Sequence, residues 1–339
     1  MLHEAPIGNV VMIKKLSISN FKSVRQLDID CKKVNLFIGE PNTGKSNILE
    51  ALALLSWCGQ SGQEPLSNYV RFELMQYLFY DGLVADQSVK IRISTKEINP
   101  TGISVTFATD SYNFRKWGSE SSFRGVNSRG QIQGSSSDFG HTKDIKFFRF
   151  KNLAKYNDKE PGPLKPPNGT NLFSVVFGSE ILRNTMVEFY RKYGLKVVMR
   201  QHEGVFELQK EVNGLVFNYP YTLTSDTLRR IIFYTVAIVS NKDSVLVFEE
   251  PESNAFPYYT KYLGERIALD KTNQFFIATH NPYLLSAVIE KARKEEVQVF
   301  ITYFKDFQTW VKPLMPDQVA ELMEADPFFN MDRFTEEGE

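Results

Sequence analysis

Three short runs of mainly apolar residues stand out along the chain. They occupy residues 34–38, 245–248 and 275–278. A run of this length without alternation is typical of a buried strand. Helix-forming stretches follow the three runs, at 47–55, at 254–269 and from Pro282. The pattern therefore predicts an α/β domain built on an open sheet.

Alternating apolar and polar residues predict a second kind of strand, with one exposed face. These strands occur at 12–20, 24–31, 89–93 and 103–107. The first two precede the first apolar run, so two edge strands are expected at the beginning of the domain. Periodic apolar positions predict further helices over 171–193 and 226–240.

The residues after the first apolar run fit the pattern of a phosphate-binding P-loop. In order, they are Gly39, Glu40, Pro41, Asn42, Thr43, Gly44, Lys45 and Ser46, with Asn47 following. A strand before the pattern and a helix after it are the context that this motif needs. Its glycines let backbone N–H groups surround a phosphate, and the helix N-terminus adds positive charge. We expect Lys45 to reach the β- and γ-phosphates of a nucleotide and Ser46 to ligate Mg²⁺; the alternative is a chance match.

The other two apolar runs end at Glu249-Glu250 and at Thr279-His280. Ligands of an open α/β sheet bind at the carboxyl ends of its strands, so these side chains are expected to meet the P-loop at one nucleotide. Glu249 is placed to hold Mg²⁺, directly or through water. Glu250 is the candidate general base, and His280 is expected to hydrogen-bond the γ-phosphate or the attacking water. The alternatives are a carboxylate pair that only caps a strand and a structural histidine, and Glu252 is expected to be structural or interfacial.

The composition matters mainly for what it excludes. Lysine plus arginine and aspartate plus glutamate each total 40 of the 339 residues, so no overall basic field attracts nucleic acid. The two cysteines, Cys31 and Cys58, form no zinc-binding pattern and are expected to remain thiols. The first residues do not form a signal peptide, and no stretch is apolar enough to span a membrane. A cytoplasmic protein without a membrane partner is expected.

The chain divides into five predicted segments. They are a lobe with the P-loop (12–58), an inserted β-rich segment (59–145), a connecting region (146–222), a second lobe (223–332) and a tail (333–339) that is expected to be loose beyond Asp332. Within the insertion, residues 118–140 are rich in serine and glycine and predict a mobile loop. Its arginines, Arg124 and Arg129, are expected to be solvated rather than to contact DNA.

Several stretches together resemble the RecF/SMC/ABC-type ATPases, and more closely the short relatives of the OLD-family ATPase domain that lack a coiled coil. They are residues 18–23, the P-loop with 47–51, residues 164–172, residues 249–252 with Pro257, and residues 278–282. The resemblance implies an ABC/SMC-type P-loop NTPase domain with N-terminal antiparallel strands and an inserted, partly antiparallel subdomain of strands and helices. A Toprim nuclease domain, which OLD-type nucleases carry, is not expected, and neither is nuclease activity.

The same resemblance implies ATP and Mg²⁺ as cofactors and an ATP-dependent homodimer or higher oligomer. In such a dimer, each nucleotide also contacts a Ser and a Gly at the N-terminus of the partner's signature helix. The best match places Thr224 at the Ser position and Asp226 at the Gly position, with Ser225 available after a one-residue shift. Asp226 departs from the family pattern, which has a glycine at this position. Its carboxylate would repel a γ-phosphate unless it turns away or pairs with Arg229 or Arg230.

Three hypotheses of function follow. The first is an ATPase whose ATP-gated dimer is a switch or clamp in DNA maintenance or anti-phage defence, with a nuclease or effector on another protein. The second is a scaffold that binds ATP with little turnover and regulates such an effector. The third, a clamp that binds DNA directly, rests on the resemblance alone, and the zero net charge gives it no support.

Overall fold

The computed structural model describes residues 12–60, 64–85, 87–95, 100–119, 121–134, 139–324, 326–329 and 331–335. Parts of three predicted features lie outside these residues: the N-terminal residues 1–11, residues 120 and 135–138 of the predicted mobile loop, and the last four residues of the tail.

Sixteen strands and eight α-helices are formed by the described residues. The strands are β1 (Lys15–Phe21), β2 (Val24–Asp30), β3 (Val34–Ile38), β4 (Ser88–Ser94), β5 (Thr101–Ala108), β6 (Ser111–Lys116), β7 (Ser122–Val126), β8 (Ile132–Gln133), β9 (Ile145–Phe148), β10 (Lys196–Arg200), β11 (Val205–Val212), β12 (Leu215–Pro220), β13 (Val245–Glu249), β14 (Gln274–Ala278), β15 (Val297–Lys305) and β16 (Gln308–Pro313). The helices are α1 (Lys45–Gly59), α2 (Leu172–Gly178), α3 (Glu180–Arg191), α4 (Asp226–Ser240), α5 (Pro257–Leu269), α6 (Pro282–Lys291), α7 (Pro316–Glu324) and α8 (Asp332–Thr335).

The three apolar runs form the middle of a mainly parallel sheet. Within the described chain its strand order is β16-β15-β3-β14-β13-β9, and β16 pairs with β15 in the antiparallel direction. Val245 and Val247 of β13 belong to one apolar core, whereas Leu246 and Phe248 belong to the core on the opposite face. Burial on both faces explains why these runs are mainly apolar.

A second sheet is antiparallel, with the order β2-β1-β4-β5-β6-β7-β8 among the described strands. The inserted segment is therefore antiparallel, as predicted, and it extends the N-terminal hairpin because β4 pairs with β1. The predicted boundary after residue 58 thus divides one continuous sheet. Part of the predicted mobile loop is also ordered into β7 and β8, whose pairing continues the same sheet.

Arg124 on β7 corrects the prediction that it is solvated. The residue is only 1% exposed, and its guanidinium lies 4.2 Å from the centre of the Trp57 ring. It donates hydrogen bonds of 3.1 Å to the backbone oxygens of Trp57 and Gln60. The carbonyls at the C-terminus of α1 attract the cation, and the indole ring stacks on its flat face. Arg129 is exposed, as predicted.

Helix α1 lies between the two sheets and contacts strands of both. All of its residues are buried except Ser46 and Asn47, which are half-buried at its N-terminal end. A helix enclosed in this way is held by packing along its whole length, so the P-loop that precedes it is attached to a fixed support. Cys31 and Cys58 pack in this core as free, buried thiols.

Helices α2 to α6 contribute to the core on the other face of the parallel sheet. The single helix predicted over 171–193 is two helices, because the chain breaks at Ser179, whose hydroxyl caps α3 by accepting a hydrogen bond from the Leu182 N–H. Residues 333–335 of the tail, which was expected to be loose beyond Asp332, instead belong to α8, and Phe334 is buried. No helix in the described part of the chain combines the length and the apolar character needed to cross a bilayer.

Candidate nucleotide-binding site

The P-loop connects the buried end of β3 to the first residue of α1. Gly39 and Gly44 have φ angles of +150° and +99°. A Cβ atom at Gly39 would lie 2.3 Å from the Thr302 backbone oxygen, and one at Gly44 would lie 1.9 Å from Thr309 Oγ1. Both the backbone conformation and the lack of space therefore require glycine at these two positions.

Residues from distant parts of the chain brace the outside of this loop. Thr302 Oγ1 on β15 lies 2.9 Å from Thr43 Oγ1, and Thr309 Oγ1 on β16 lies 2.7 Å from Ser23 Oγ. Ser23 Oγ also accepts a hydrogen bond of 2.7 Å from Asn47 Nδ2. These contacts join the P-loop to the β1–β2 turn and to the β15–β16 hairpin.

Lys45 crosses the inside of the loop. Its Nζ donates to the backbone oxygens of Gly39 and Glu40, at 2.8 and 2.6 Å. Burial lowers the pKa of Lys45 to about 8, and the carboxylates of Glu250 and Glu40 act in the opposite direction. The ammonium group is therefore held at the centre of the loop, next to the exposed residues Glu40, Pro41 and Asn42.

The ends of β13 and β14 bring Glu250 and His280 together. The two strands are parallel neighbours, and Glu249 is in register with Ala278. His280 Nε2 lies 3.4 Å from Glu250 Oε1, and Ser253 Oγ donates a hydrogen bond of 3.1 Å to Glu250 Oε2. Glu250 has a φ of +43°, a left-handed conformation that is strained for a residue with a side chain and that is common at functional sites.

The charges of Lys45, Glu250 and His280 influence one another. Burial lowers the pKa of His280, the Lys45 ammonium lowers it further, and the Glu250 carboxylate opposes both effects. The imidazole is consequently neutral near pH 7. The structure thus brings three side chains together at one edge of the sheet. Lys45 is more than 200 positions away from both Glu250 and His280 in the sequence.

Glu249 does not present a free carboxylate to a metal ion. Its Oε1 lies 3.0 Å from Arg71 Nη2, and its Oε2 lies 3.1 Å from Arg149 Nη2. A Mg²⁺ ion bound directly to Glu249 would lie beside two guanidinium groups, which repel it. Direct ligation of Mg²⁺ by Glu249 therefore does not fit this arrangement, whereas a role through water stays a prediction. The Ser46 hydroxyl is of a suitable chemical type for the same ion. Among the described residues there is also no cluster of three or more His, Cys, Asp or Glu side chains that could hold a metal ion.

Sequence reasoning missed the ion cluster behind Glu249. Glu50 on α1 is completely buried, and its Oε1 accepts from Arg71 Nε at 2.7 Å. Lys22 pairs with the other oxygen of Glu50, and Arg149 Nη2 lies 3.7 Å from Oε1. Lys22 and Glu50 fall within the stretches that carry the family resemblance. Their place in those stretches was the one feature of the sequence that could have indicated a role for them. Arg71 lies in an irregular segment without a recognisable pattern.

The N-terminus of α4 carries the predicted signature residues. Thr224 Oγ1 is engaged within the chain, since it donates to the Tyr221 backbone oxygen at 2.8 Å and lies 3.2 Å from the Tyr190 hydroxyl. Ser225 is exposed and occupies the N-cap position of α4 without a capping hydrogen bond from its side chain. Of these two predicted residues, Ser225 is therefore the one that can offer its hydroxyl to a ligand.

Asp226 pairs with Arg229 and Arg230, one of the two arrangements that the sequence left open. Its Oδ1 lies 3.4 Å from Arg229 Nη2, and its Oδ2 lies 3.6 Å from Arg230 Nη2. The two arginines thus offset the carboxylate at the first turn of the helix.

Two family models match successive parts of the chain. The model described as "AAA ATPase domain" matches residues 12–161. The model described as "AAA domain, putative AbiEii toxin, Type IV TA system" matches residues 155–286. Together they extend from β1 through the P-loop to α6, so they include every predicted site residue.

Curated relatives are similar to shorter parts of the chain. The DNA replication and repair protein RecF of Bacteroides thetaiotaomicron is 38% identical over 64 residues, which are 19% of this chain and 17% of RecF. RecF of Leptospira interrogans is 32% identical over 77 residues, 22% of this chain and 21% of RecF. The uncharacterized protein MJECL10 of Methanocaldococcus jannaschii is 27% identical over 113 residues, 30% of this chain and 49% of that protein. The matched segments thus span about a fifth of the RecF relatives.

Solved structures of SMC heads share the fold. An Smc head bound to the C-winged helix domain of ScpA has a TM-score of 0.56 at 14% identity and covers 89% of this chain and 98% of its own. The Smc head of Pyrococcus furiosus bound to the C-terminal domain of ScpA has a TM-score of 0.54 at 13% identity, with coverages of 92% and 98%. The two family models, the RecF relatives and the shared fold together support a RecF/SMC/ABC-type ATPase.

Proposed function

We propose that the protein binds and hydrolyses ATP and that ATP gates its assembly into a dimer that acts as a switch or clamp. The observation that carries this proposal is the convergence of Lys45, Glu250 and His280 beside a P-loop whose glycines are required by its geometry. A purely structural strand end would not need a buried lysine, a strained acidic residue and a neutral histidine at one place.

In the proposed reaction, the P-loop amides and Lys45 bind the phosphates of ATP. A water molecule attacks the γ-phosphorus, the Glu250 carboxylate accepts a proton from that water, and the bond to the β–γ bridging oxygen breaks to release ADP and phosphate. Ser253 orients the carboxylate through its hydrogen bond to Oε2. Neutral His280 offers an N–H group to the γ-phosphate or to the water. Mg²⁺, where bound with the nucleotide, would supply additional positive charge to the phosphates.

Dimerisation is proposed to complete the site. The exposed Ser225 hydroxyl at the N-terminus of α4 is a suitable donor to the γ-phosphate of a nucleotide on a second copy. The test is the molar mass of Glu250→Gln by light scattering, with and without ATP·Mg²⁺, because this substitution removes the base and preserves the shape of the side chain. A doubling of mass on adding ATP supports the gated dimer, whereas a monomer that binds ATP without doubling contradicts it.

Hydrolysis needs its own test. Phosphate release by the wild-type protein with ATP·Mg²⁺ is expected to be abolished in Lys45→Ala and in Glu250→Gln. ATP binding is expected to survive only in Glu250→Gln, since Lys45 contacts the phosphates and Glu250 acts on the water. Wild-type protein that binds ATP but releases no phosphate would exclude the hydrolytic part of the proposal.

A second candidate function is a scaffold that binds ATP with little turnover and regulates a separate effector or nuclease. Two features favour it. Asp226 stands where the resembled family has a glycine that faces the γ-phosphate, and Glu249 is paired with two arginines. Tight ATP binding together with almost no phosphate release would distinguish this function from the first.

The cellular role is proposed to be DNA maintenance or anti-phage defence in the cytoplasm. The RecF relatives are named for DNA replication and repair, and both SMC heads were solved with a ScpA domain bound, which supports a partner protein for this chain as well. A direct DNA contact would show as binding whose affinity falls steeply with salt concentration.

A further inference from the structure

Glu252 is a buried carboxyl group to which the proposed reaction assigns no role. It lies two residues after Glu250, in the turn that follows β13, and it is only 4% exposed. Its Oε1 accepts a hydrogen bond from the hydroxyl of Thr279, which is completely buried next to His280. One hydrogen bond between two buried side chains therefore joins the turn that carries Glu250 to the loop that carries His280.

Thr279 is well placed to transmit this restraint. Its backbone N–H donates to the Phe37 oxygen on β3 at 3.1 Å, and its Oγ1 accepts from the Asn281 N–H at 3.0 Å. Asn281 in turn caps α6 by accepting from the Tyr283 N–H at 2.9 Å. The loop with His280 is thus attached to β3, to α6 and, through Glu252, to the turn after β13.

The surroundings of Glu252 favour a neutral carboxyl group. Burial raises its pKa to about 7 and the nearby Glu250 carboxylate raises it too, while hydrogen bonds from Thr279 and from the backbone lower it. Its Oε2 is buried and has no hydrogen-bond partner among the described residues, an arrangement that is costly for a charged group. Below about pH 7 the neutral acid adds no negative charge beside the proposed general base.

We propose that Glu252 is a positioning residue for the proposed hydrolysis, holding His280 at its place beside Glu250 through the hydrogen bond with Thr279. This proposal rests on the proposed function, because it concerns the geometry of the same site. Loss of the Glu252 side chain is expected to impair the water-attack step more than the binding of ATP.

The first test compares Thr279→Val and Glu252→Leu, which remove the hydrogen bond, with Thr279→Ser and Glu252→Gln, which keep it. Circular dichroism checks folding, and Glu290→Gln on the exposed face of α6 is the matched control. The first pair is expected to lower kcat by about tenfold or more, with the Kd for ATP changed by less than about threefold. The second pair and the control are expected to stay within about threefold of wild type.

A second measurement does not depend on turnover. The pKa of His280, one of four histidines in the chain, is followed by NMR titration and assigned with His280→Gln. It is expected to lie below 6.5 in the wild type and to move toward that value in Thr279→Val, because a released imidazole becomes more solvated. If wild-type protein shows no turnover, the hydrolytic part of the proposed function fails, while this titration still decides the role of Glu252 and Thr279.

Two results would overturn the positioning role. One is a folded Thr279→Val protein in which both kcat and the His280 pKa are unchanged. The other is a loss of ATP binding as large as the loss of kcat, which would mean that the two residues only stabilise the fold. If Thr279→Val and Glu252→Leu do not fold, Thr279→Ser decides the question, because a loss of kcat in that variant would contradict the proposal.

Discussion

Glu50 and Glu249 share one guanidinium group: Arg71 Nε lies 2.7 Å from Glu50 Oε1, and Arg71 Nη2 lies 3.0 Å from Glu249 Oε1. Glu50 belongs to the helix that follows the P-loop, and Glu249 is the last residue of β13. The pair therefore links the phosphate-binding loop to the strand that carries the candidate general base. Because Glu50 is completely buried, its charge depends on the three cations around it.

Glu50→Gln is expected to lower the free energy of unfolding by about 3 kcal/mol, because it removes the buried charge that offsets Lys22, Arg71 and Arg149. Urea unfolding followed by tryptophan fluorescence measures this change. Glu73→Gln, at an exposed position in the segment before β4, is the control and is expected to stay within about 0.5 kcal/mol of wild type. Equal stabilities of the two variants would show that the cluster contributes nothing net.

Binding of ATP is expected to be coupled to proton uptake by Lys45. The pKa of this lysine is lowered to about 8, and bound phosphates stabilise its charged form. At pH 8, titration calorimetry with a non-hydrolysable ATP analogue in two buffers of different ionisation enthalpy should show uptake of about half a proton. Above pH 8, the affinity should fall by up to about tenfold per pH unit. Binding without proton uptake at pH 8 would contradict the lowered pKa.

Asp226→Asn, made in the Glu250→Gln background, is expected to tighten the ATP-bound dimer by about tenfold. The substitution removes a negative charge near the proposed position of the γ-phosphate, and tenfold corresponds to about 1.4 kcal/mol. Analytical ultracentrifugation with ATP·Mg²⁺ gives the dimer dissociation constants. Asp30→Asn, at the exposed end of β2, is the control with the same change of charge. An unchanged or weaker dimer would place Asp226 away from the γ-phosphate.

Glu252→Gln should change how stability depends on pH. The folded-state pKa of Glu252 is raised from 4.5 to about 7, so its neutral form favours the folded protein below pH 4.5 and this contribution is lost as the pH rises to about 7. Glutamine cannot ionise, so the variant should gain up to about 3 kcal/mol relative to wild type between pH 5 and pH 8. The other ionisable groups near Glu252 are Glu250 and Tyr234 of α4, with His280 on the adjoining loop. Thermal unfolding at both pH values measures the effect, and a constant difference would contradict it.

The sequence was sufficient for the parts of the site that adjoin regular strands. The P-loop, Glu250 and His280 each follow an apolar run, and parallel strands in one sheet end at the same edge. Their proximity could therefore be inferred without knowing any side-chain contact. The antiparallel strands were also visible from their alternation, because one of their faces is solvated.

The remaining features depend on contacts between distant residues. Arg71 and Arg149 approach Glu249 across separations of 178 and 100 positions, and no local pattern encodes such a pairing. The sequence around Arg124 has the composition of a solvated loop. The residue is nevertheless buried, because its guanidinium packs on Trp57 of α1. The pairing of β1 with β4 likewise joins distant residues, such as Ile18 and Ile91, and no local pattern in either strand specifies it.

The brace formed by Thr302 and Thr309 has a consequence for synthesis of the protein. Residues 39–46 leave the ribosome early, whereas the side chains that support them from outside are added about 260 residues later. A nascent chain that ends before β15 has the complete P-loop sequence but lacks the hairpin that holds the loop in shape. The loop therefore acquires its full set of supporting contacts only when the C-terminal hairpin has been translated and has docked, so under the proposed function nucleotide binding would come late in synthesis.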